Sequence, residues 1–185
     1  MSFTEKALLL DANDAQRAIN RIAYEIIEHN KGTRNLVFIG IQKKGVYIAK
    51  AIIKRIQEIE GVTVPLGSLD ITFYRDDLTR LNEHPVVIGN DIAFTVEDKK
   101  IVLIDDVLYS GRTTRAAIEE IFDMGRPERV ELAVLVDRGN RELPIQADFV
   151  GRDVPTSPNE YIQVNISEDG EIDKVTICTK EDEEK

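Results

Sequence analysis

The stretch Ile101-Val-Leu-Ile-Asp105-Asp106-Val-Leu-Tyr109-Ser110-Gly111-Arg112-Thr113-Thr114 decides how this chain is read. Ile101–Ile104 is an apolar run of strand length without polar alternation, the pattern of a central strand covered on both faces. From Thr113 to Met124 apolar residues recur at 117, 118, 121 and 122, a helical stripe. Between strand and helix lies a small turn rich in hydroxyls, with Ser110, Gly111, Thr113 and Thr114 at the helix start. Free backbone N–H groups and the positive end of the helix dipole favour a phosphate monoester there. Asp105 and Asp106 stand at the carboxyl end of the strand, where open α/β sheets bind ligands. Carboxylates beside a phosphate cradle suit the vicinal hydroxyls of a ribose 5-phosphate. The plainer alternative has one aspartate capping the helix and the other facing solvent. The chain has neither a Gly-x-x-x-x-Gly-Lys-Ser/Thr loop nor a Gly-x-Gly-x-x-Gly fingerprint.

Outward from this stretch, Asp14–Asn30 carries apolar residues at 15, 18, 19, 22, 23, 26 and 27 and is predicted helical, with Asp11 or Asn13 as cap and Gly32 as stop. A strand is expected over Asn35–Ile41 and a second helix over Gly45–Ile59, ending at Gly61. The joining loop, Gly40-Ile41-Gln42-Lys43-Lys44-Gly45, is a second place where backbone N–H groups can face an anion; the alternative is a solvated lysine pair on a surface turn. Val62–Tyr74 alternates and then turns polar, consistent with an edge strand. Thr79–Asp91 contains Pro, Gly, Asn and His with little periodicity and reads as a long mobile loop, a type that is usually functional inside compact domains. Val130–Val136 follows the turn Gly125-Arg126-Pro127 as the next strand of a βαβ series. Tyr161–Ser167 and Glu171–Lys180 alternate around Asp169-Gly170, a hairpin signal. The expected architecture is one α/β domain over residues 1–180, a doubly wound, mostly parallel sheet with a small hood from the segments after Asp137. Residues 181–185 read as an acidic, disordered tail.

At 185 residues and 42% hydrophobic, the chain can bury a substantial core. It has no run of apolar residues long enough to span a bilayer and no signal-peptide pattern, so no membrane partner is expected. The single Cys178 suits a reducing cytoplasm and an apolar position on a strand. A net charge of −10 counts against broad nonspecific binding to nucleic acid but not against a local basic patch. His29, at a helix end, and His84, beside Pro85, are assigned no catalytic role.

The Ile101–Thr114 stretch resembles the phosphoribosyl-pyrophosphate (PRPP) loop of type I phosphoribosyltransferases. Asp70-Ile-Thr-Phe-Tyr-Arg75-Asp76-Asp77, Gly125-Arg-Pro and Leu132-Ala-Val-Leu-Val-Asp137-Arg138-Gly139-Asn140-Arg141-Glu-Leu-Pro144 narrow the resemblance to the pyrimidine operon attenuator/uracil phosphoribosyltransferase family (PyrR), from about Lys6 to Thr156. The resemblance implies transfer of the 5-phosphoribosyl group from PRPP to uracil, giving UMP and pyrophosphate, in a homo-oligomer. It assigns PRPP to Val107, Leu108, Tyr109, Ser110, Gly111, Arg112 and Thr113. Lys43 and Lys44 match the family's pyrophosphate loop, although the family commonly has Thr-Arg there, so a bidentate guanidinium is replaced by a point charge. Asp105 and Asp106 would oppose positive charge on the ribose, while Mg²⁺, held by few carboxylates plus substrate oxygens, would neutralise pyrophosphate. Arg75 would bring a cation to the leaving group from the mobile loop; the bland alternative is an ion-paired loop mouth. Asp137, Arg138 and Val154 fall to the base, with Arg138 lying flat over it and backbone near Phe149–Val154 reading its edge. The sequence alone does not separate uracil from hypoxanthine or guanine.

The same family couples its enzyme to RNA attenuation. This chain keeps Arg17, Arg21 and Arg141 of the family's RNA-binding face. It holds Asn20, Tyr24 and Gln146 where the family usually shows threonine, histidine and arginine. Lost phosphate contacts and directional donors make an enzyme without the RNA role the expectation. A ligand sensor without catalysis would need a broken PRPP loop, and this loop is intact.

Overall fold

The computed structural model describes residues 3–71, 90–167 and 169–180. Along the chain these form β1 (Phe3–Asp11), α1 (Ala12–Asn30), β2 (Leu36–Ile41), α2 (Lys44–Glu60), β3 (Leu66–Leu69), β4 (Lys100–Leu108), α3 (Arg112–Met124), β5 (Arg129–Asp137), β6 (Phe149–Asp153), β7 (Glu160–Ile166) and β8 (Ile172–Lys180). A parallel five-stranded sheet has the order β3-β2-β4-β5-β6, and a three-stranded antiparallel sheet, β1-β8-β7, makes the hood.

The parallel sheet is covered on both faces, which is why its strands are apolar without alternation. Successive side chains point to opposite faces. Leu36 and Phe38 of β2, with Val102 and Ile104 of β4, pack with the α1 and α2 stripes Ile19, Ile22, Ile26, Ile48, Ile52 and Ile56. Val37, Ile39, Ile101 and Leu103 pack on the other face with Ala117 and Ile121 of α3. Burying each such Ile, Leu or Val stabilises the fold by about 1.5–3 kcal/mol. At the amino end of β5, buried Glu131 is met by Asn30 Nδ2 at 2.8 Å, Arg129 Nε at 2.6 Å and His29 Nε2 at 3.2 Å, so His29 is structural.

Several boundaries differ from the sequence reading. α1 starts one turn's fraction earlier, capped by the Asp11 carboxylate on Asp14 N at 2.8 Å, and ends at Lys31 in the left-handed region (φ 54°). Gly32 N then closes the end on the Ile27 carbonyl at 2.9 Å. β4 runs on through Asp105–Leu108, because its pairing with β5 continues to Leu108↔Asp137. Among the described residues of the expected edge strand Val62–Tyr74, the strand is Leu66–Leu69, parallel to β2; 72–74 lie outside the described residues. The hood is not built only from segments after Asp137: β1 supplies one edge, pairing Ala7↔Ile177 and Leu8↔Thr176, while Phe149–Asp153 joins the main sheet as β6. The terminal segment, 181–185, lies outside the described residues. Cys178 is buried on β8 as expected.

One ion pair ties β1 to the start of β7. Lys6 Nζ donates to Glu160 Oε1 at 2.5 Å, and Ser157 N donates to Glu160 Oε2 at 2.7 Å. Lys6 first, then the Ser157 N–H, hold the Glu160 carboxyl below the usual glutamate range. A carboxyl lowered on folding contributes stability that is complete above its unfolded value, about 4.3, and lost as pH falls through the folded value. Lys6→Met should therefore melt below the parent at neutral pH, with the gap closing in acid as Glu160 protonates. Thermal melts across the acid range check this; a gap independent of pH would mean that Lys6 acts through packing alone.

Candidate active site

The chain enters the parallel sheet at β2, steps to β3 on one side, then returns to β4 on the other. Connections leaving β2 and β4 thus diverge, and the crevice between their carboxyl ends is where such sheets bind ligands. Here it is a cleft of about 910 Å³, walled by Gln42–Lys44 at the start of α2, Asp105–Thr114 from β4 into α3, and Arg138 and Tyr161 towards the hood.

Two glycines set its width. A Cβ on Gly40 would lie 2.7 Å from the Val46 Cα, and one on Gly45 would collide with the Ile104 carbonyl. The first turn of α2 therefore rests directly on β4, one residue before the carboxylates. Lys44 Nζ reaches Asp106 Oδ2 at 3.2 Å, which brings the two predicted loops together. Asp105 is 8% exposed and its Oδ1 accepts from Asp106 N at 2.8 Å. The preceding peptide, Gln42–Lys43, is cis.

The turn between β4 and α3 is braced from outside. Gly111 takes φ 91° at the cap of α3, a conformation that favours glycine. The Ser110 carbonyl accepts from Glu142 N at 3.0 Å and Leu143 N at 3.1 Å, and Arg112 Nε pairs with Glu142 at 2.6 Å. Arg112 N donates to Ser110 Oγ at 3.3 Å. No side chain caps α3 and its first turn holds no acid, in contrast to α1 with Asp11 and Asp14. The positive end of α3 is left to an anion, beside Thr113 and the buried Thr114.

At the hood end, Arg138 is 4% exposed. Its guanidinium lies 4.1 Å from the Tyr109 ring centre and 5.8 Å from that of Tyr161. Nε donates to Thr156 Oγ1 at 2.9 Å and Nη2 to the Ser157 carbonyl at 3.3 Å. Burial pulls this guanidinium below the usual arginine range, against the pull of the two tyrosines. It stays charged at any ordinary pH. Arg138, expected to lie flat over a base, has its guanidinium carbon over the Tyr109 ring. Asp137, also expected at the base, has a carboxylate that accepts from Gly139 N at 2.9 Å and pairs with Arg141. Val154 N donates to the Asp137 carbonyl at 2.8 Å, placing Val154 beside the same corner.

The three arginines grouped for RNA fare differently. Arg141 is spent inside the corner, donating to the carbonyls of Ile145 and Tyr109, each at 2.9 Å. Arg21 binds the Val150 carbonyl at 3.0 Å and the Gly151 carbonyl at 2.5 Å. Arg17 is exposed, with Asp14 at 3.3 Å. Of the altered positions, Tyr24 holds Arg55 Nη2 at 3.0 Å and Asn20 accepts from Gln16 at 3.1 Å. Arg75, Tyr74, Asp76, Asp77 and His84 lie outside the described residues. Tyr161 was missed from sequence; its only signal was an aromatic at a polar-facing position of the hairpin.

Known proteins resemble this chain in sequence and in fold. Residues 8–168 match the family model described as a phosphoribosyl transferase domain. A protein named "Bifunctional protein PyrR" from Acetivibrio thermocellus is 56% identical, over 98% of this chain and 97% of its own. Its namesake from Clostridioides difficile is 57% identical, over 94% and 98%. Among solved structures, the hypoxanthine phosphoribosyltransferase of Trypanosoma cruzi superposes with a TM-score of 0.72 at 18% identity, covering 96% of this chain and 98% of that one. That of Staphylococcus aureus gives 0.67 at 21%, covering 85% and 81%. At such identities these structures share the fold.

The glycine contact is directly testable. Gly45→Ala would ordinarily gain about 1 kcal/mol of helix propensity. Here the methyl meets a backbone carbonyl that cannot turn aside, and overpacking costs about 1–3 kcal/mol. The variant should be less stable than the parent in urea unfolding; a more stable variant would show that α2 can lift off β4 freely.

Proposed function

Because the chain belongs to the phosphoribosyl transferase family and, within it, to the PyrR proteins, we propose that it transfers the 5-phosphoribosyl group of PRPP to uracil, releasing UMP and pyrophosphate. The observation that carries the reading is the Asp105/Asp106 pair, set between an uncapped α3 and the Lys44 loop at the switch point of the sheet. Ser110, Gly111, Thr113 and the backbone from Val107 to Arg112 hold the 5-phosphate. Lys43 and Lys44 face the pyrophosphate, which leaves as the glycosidic bond forms. Positive charge then grows on the anomeric carbon and ring oxygen, and Asp105 and Asp106 oppose it where burial makes fixed charge effective. Arg75 brings a further cation to the leaving group.

Magnesium belongs to the proposal. Among the described residues no group of three or more His, Cys, Asp or Glu that could hold a metal occurs, and in this proposal Mg²⁺ takes most of its shell from substrate oxygens and water. Asp105 and Asp106 are hard oxygen donors of the right kind to hold it, and it would supply charge neutralisation to pyrophosphate. No helix among the described residues is long and apolar enough to cross a membrane.

The test is initial-rate transfer from PRPP with uracil, hypoxanthine, guanine and orotate side by side. Uracil should be fastest; faster purine turnover would reject the specificity and leave the transferase standing. Asp106→Asn should lower kcat far more than it raises the KM for PRPP, by about 2–4 kcal/mol of transition-state stabilisation. A change in KM alone would reduce the carboxylate to a ribose holder.

A second reading, RNA binding that regulates the pyrimidine operon, is favoured by near full-length identity of 51–58% to relatives named bifunctional. This weighs against the enzyme-only expectation. Arg17 and Arg21 are both exposed on that face, Arg21 with bonds to the Val150 and Gly151 carbonyls of β6. On this reading the chain's own pyrimidine leader RNA should bind far more tightly than a scrambled RNA, and UMP should tighten it. Equal, steeply salt-dependent binding of both RNAs would return the chain to the enzyme-only reading.

A further inference from the structure

Two adjacent lysines open α2, and the fold treats them differently. Lys43 is exposed, whereas Lys44 is partly buried and its Nζ lies 3.2 Å from Asp106 Oδ2. Backbone packing sets that contact. Gly45, the next residue, rests on the Ile104 carbonyl, so the Lys44 backbone is held against β4 and only its side chain is free to swing. An ammonium suits such a movement, being a compact charge on a flexible four-carbon stem with no fixed fork of donors.

The cleft is also close to self-neutral. Among the described residues lining it, the acids are Asp105, Asp106 and Glu142 and the cations are Lys43, Lys44, Arg112 and Arg138. Glu142 pairs with Arg112 at 2.6 Å, and Asp106 with Lys44. Asp105 Oδ1 accepts from the Asp106 N–H at 2.8 Å. A divalent cation approaching Asp106 therefore meets an ammonium already at the carboxylate, and two positive centres repel strongly at that range. Mg²⁺ is a poor competitor there, since it demands near-ideal octahedral geometry and dehydrates reluctantly. The ion pair itself is partly exposed and contributes little, so a polyanion can draw the ammonium away.

We propose that Lys44 is a built-in counterion that occupies Asp106 while the cleft is empty, so that a divalent cation gains this carboxylate only together with a polyanionic ligand that takes Lys44 over. The inference rests on reading the cleft as a PRPP site. It gives the two lysines different tasks: Lys43 is a standing anion contact, and Lys44 is a positioning residue that couples metal entry to ligand entry.

The experiment uses Mn²⁺, which takes the same oxygen ligands as Mg²⁺ and whose free ion is counted by its paramagnetic resonance signal. In titrations of the full chain without substrate, Lys44→Met should bind Mn²⁺ about tenfold more tightly than the parent, because the repelling ammonium is gone. Lys44→Gln, a second neutral variant, should show the same gain should methionine disturb the fold. Lys44→Arg keeps a cation at that reach and should bind Mn²⁺ as weakly as the parent. Adding Asp106→Asn to Lys44→Met should abolish the gain. Equal Mn²⁺ affinity in the parent and the neutral variants, or a gain that survives Asp106→Asn, overturns the counterion. If Mn²⁺ behaves as expected yet the parent transfers to no base, the counterion stands and the proposed reaction fails.

Discussion

The site depends on how closely the first turn of α2 can approach β4. Gly40 and Gly45 remove the side chains that would hold the two apart, and the helix start comes to rest against the Ile104 carbonyl. From that contact the rest follows in steps of one residue. Lys44 precedes Gly45 and therefore hangs over the carboxyl end of β4; Asp105 and Asp106 succeed Ile104 and therefore meet it. Charge alone would not hold this geometry, because a partly exposed ion pair contributes little, about 0–1 kcal/mol. Backbone packing sets the distance, and the charges act within it.

The other end of the cleft solves a harder problem, since a guanidinium there is nearly removed from water. Desolvation alone would be severe, but Arg138 has Thr156, Ser157 and the Tyr109 face as replacements for solvent. A desolvated cation–π contact is worth about 2 kcal/mol or more, and hydrogen bonds to a charged donor about 1.5–3 each. These are of the order needed to keep the charge in place. Asp137 and Arg141 make a second, neighbouring corner, which explains why residues that look like ligand readers in the sequence also serve as framework.

Much of this was legible beforehand where one physical rule dominated. Ile101–Ile104 had no polar alternation, so burial on both faces followed, and the hydroxyl-rich turn before a helical stripe marked the start of α3. The switch-point position of the two loops follows from the same pattern. What stayed hidden needed partners distant in sequence. β1 is a mixed polar segment that becomes a strand only because β8 pairs with it, and Phe149–Asp153 becomes one only against β5. The burial of Arg138 was equally hidden, because Tyr109 and Tyr161 come from different layers of the fold and no local spacing brings them together.

The hood's construction has a consequence for how the molecule is made. Its outer strand comes from the start of the chain, and the staple from Lys6 to Glu160 spans 154 residues. Contacts so far apart in sequence are the last to form, because closing the long loop costs entropy before anything repays it. During synthesis, β2 through β5 and their helices emerge and can pack while β7 and β8 are still inside the ribosome. A nascent chain therefore possesses the crevice between β2 and β4 well before it possesses the hood. Through that interval Leu10 and its neighbours on β1 have no sheet to join, and their protection from premature association rests with whatever meets the chain as it emerges.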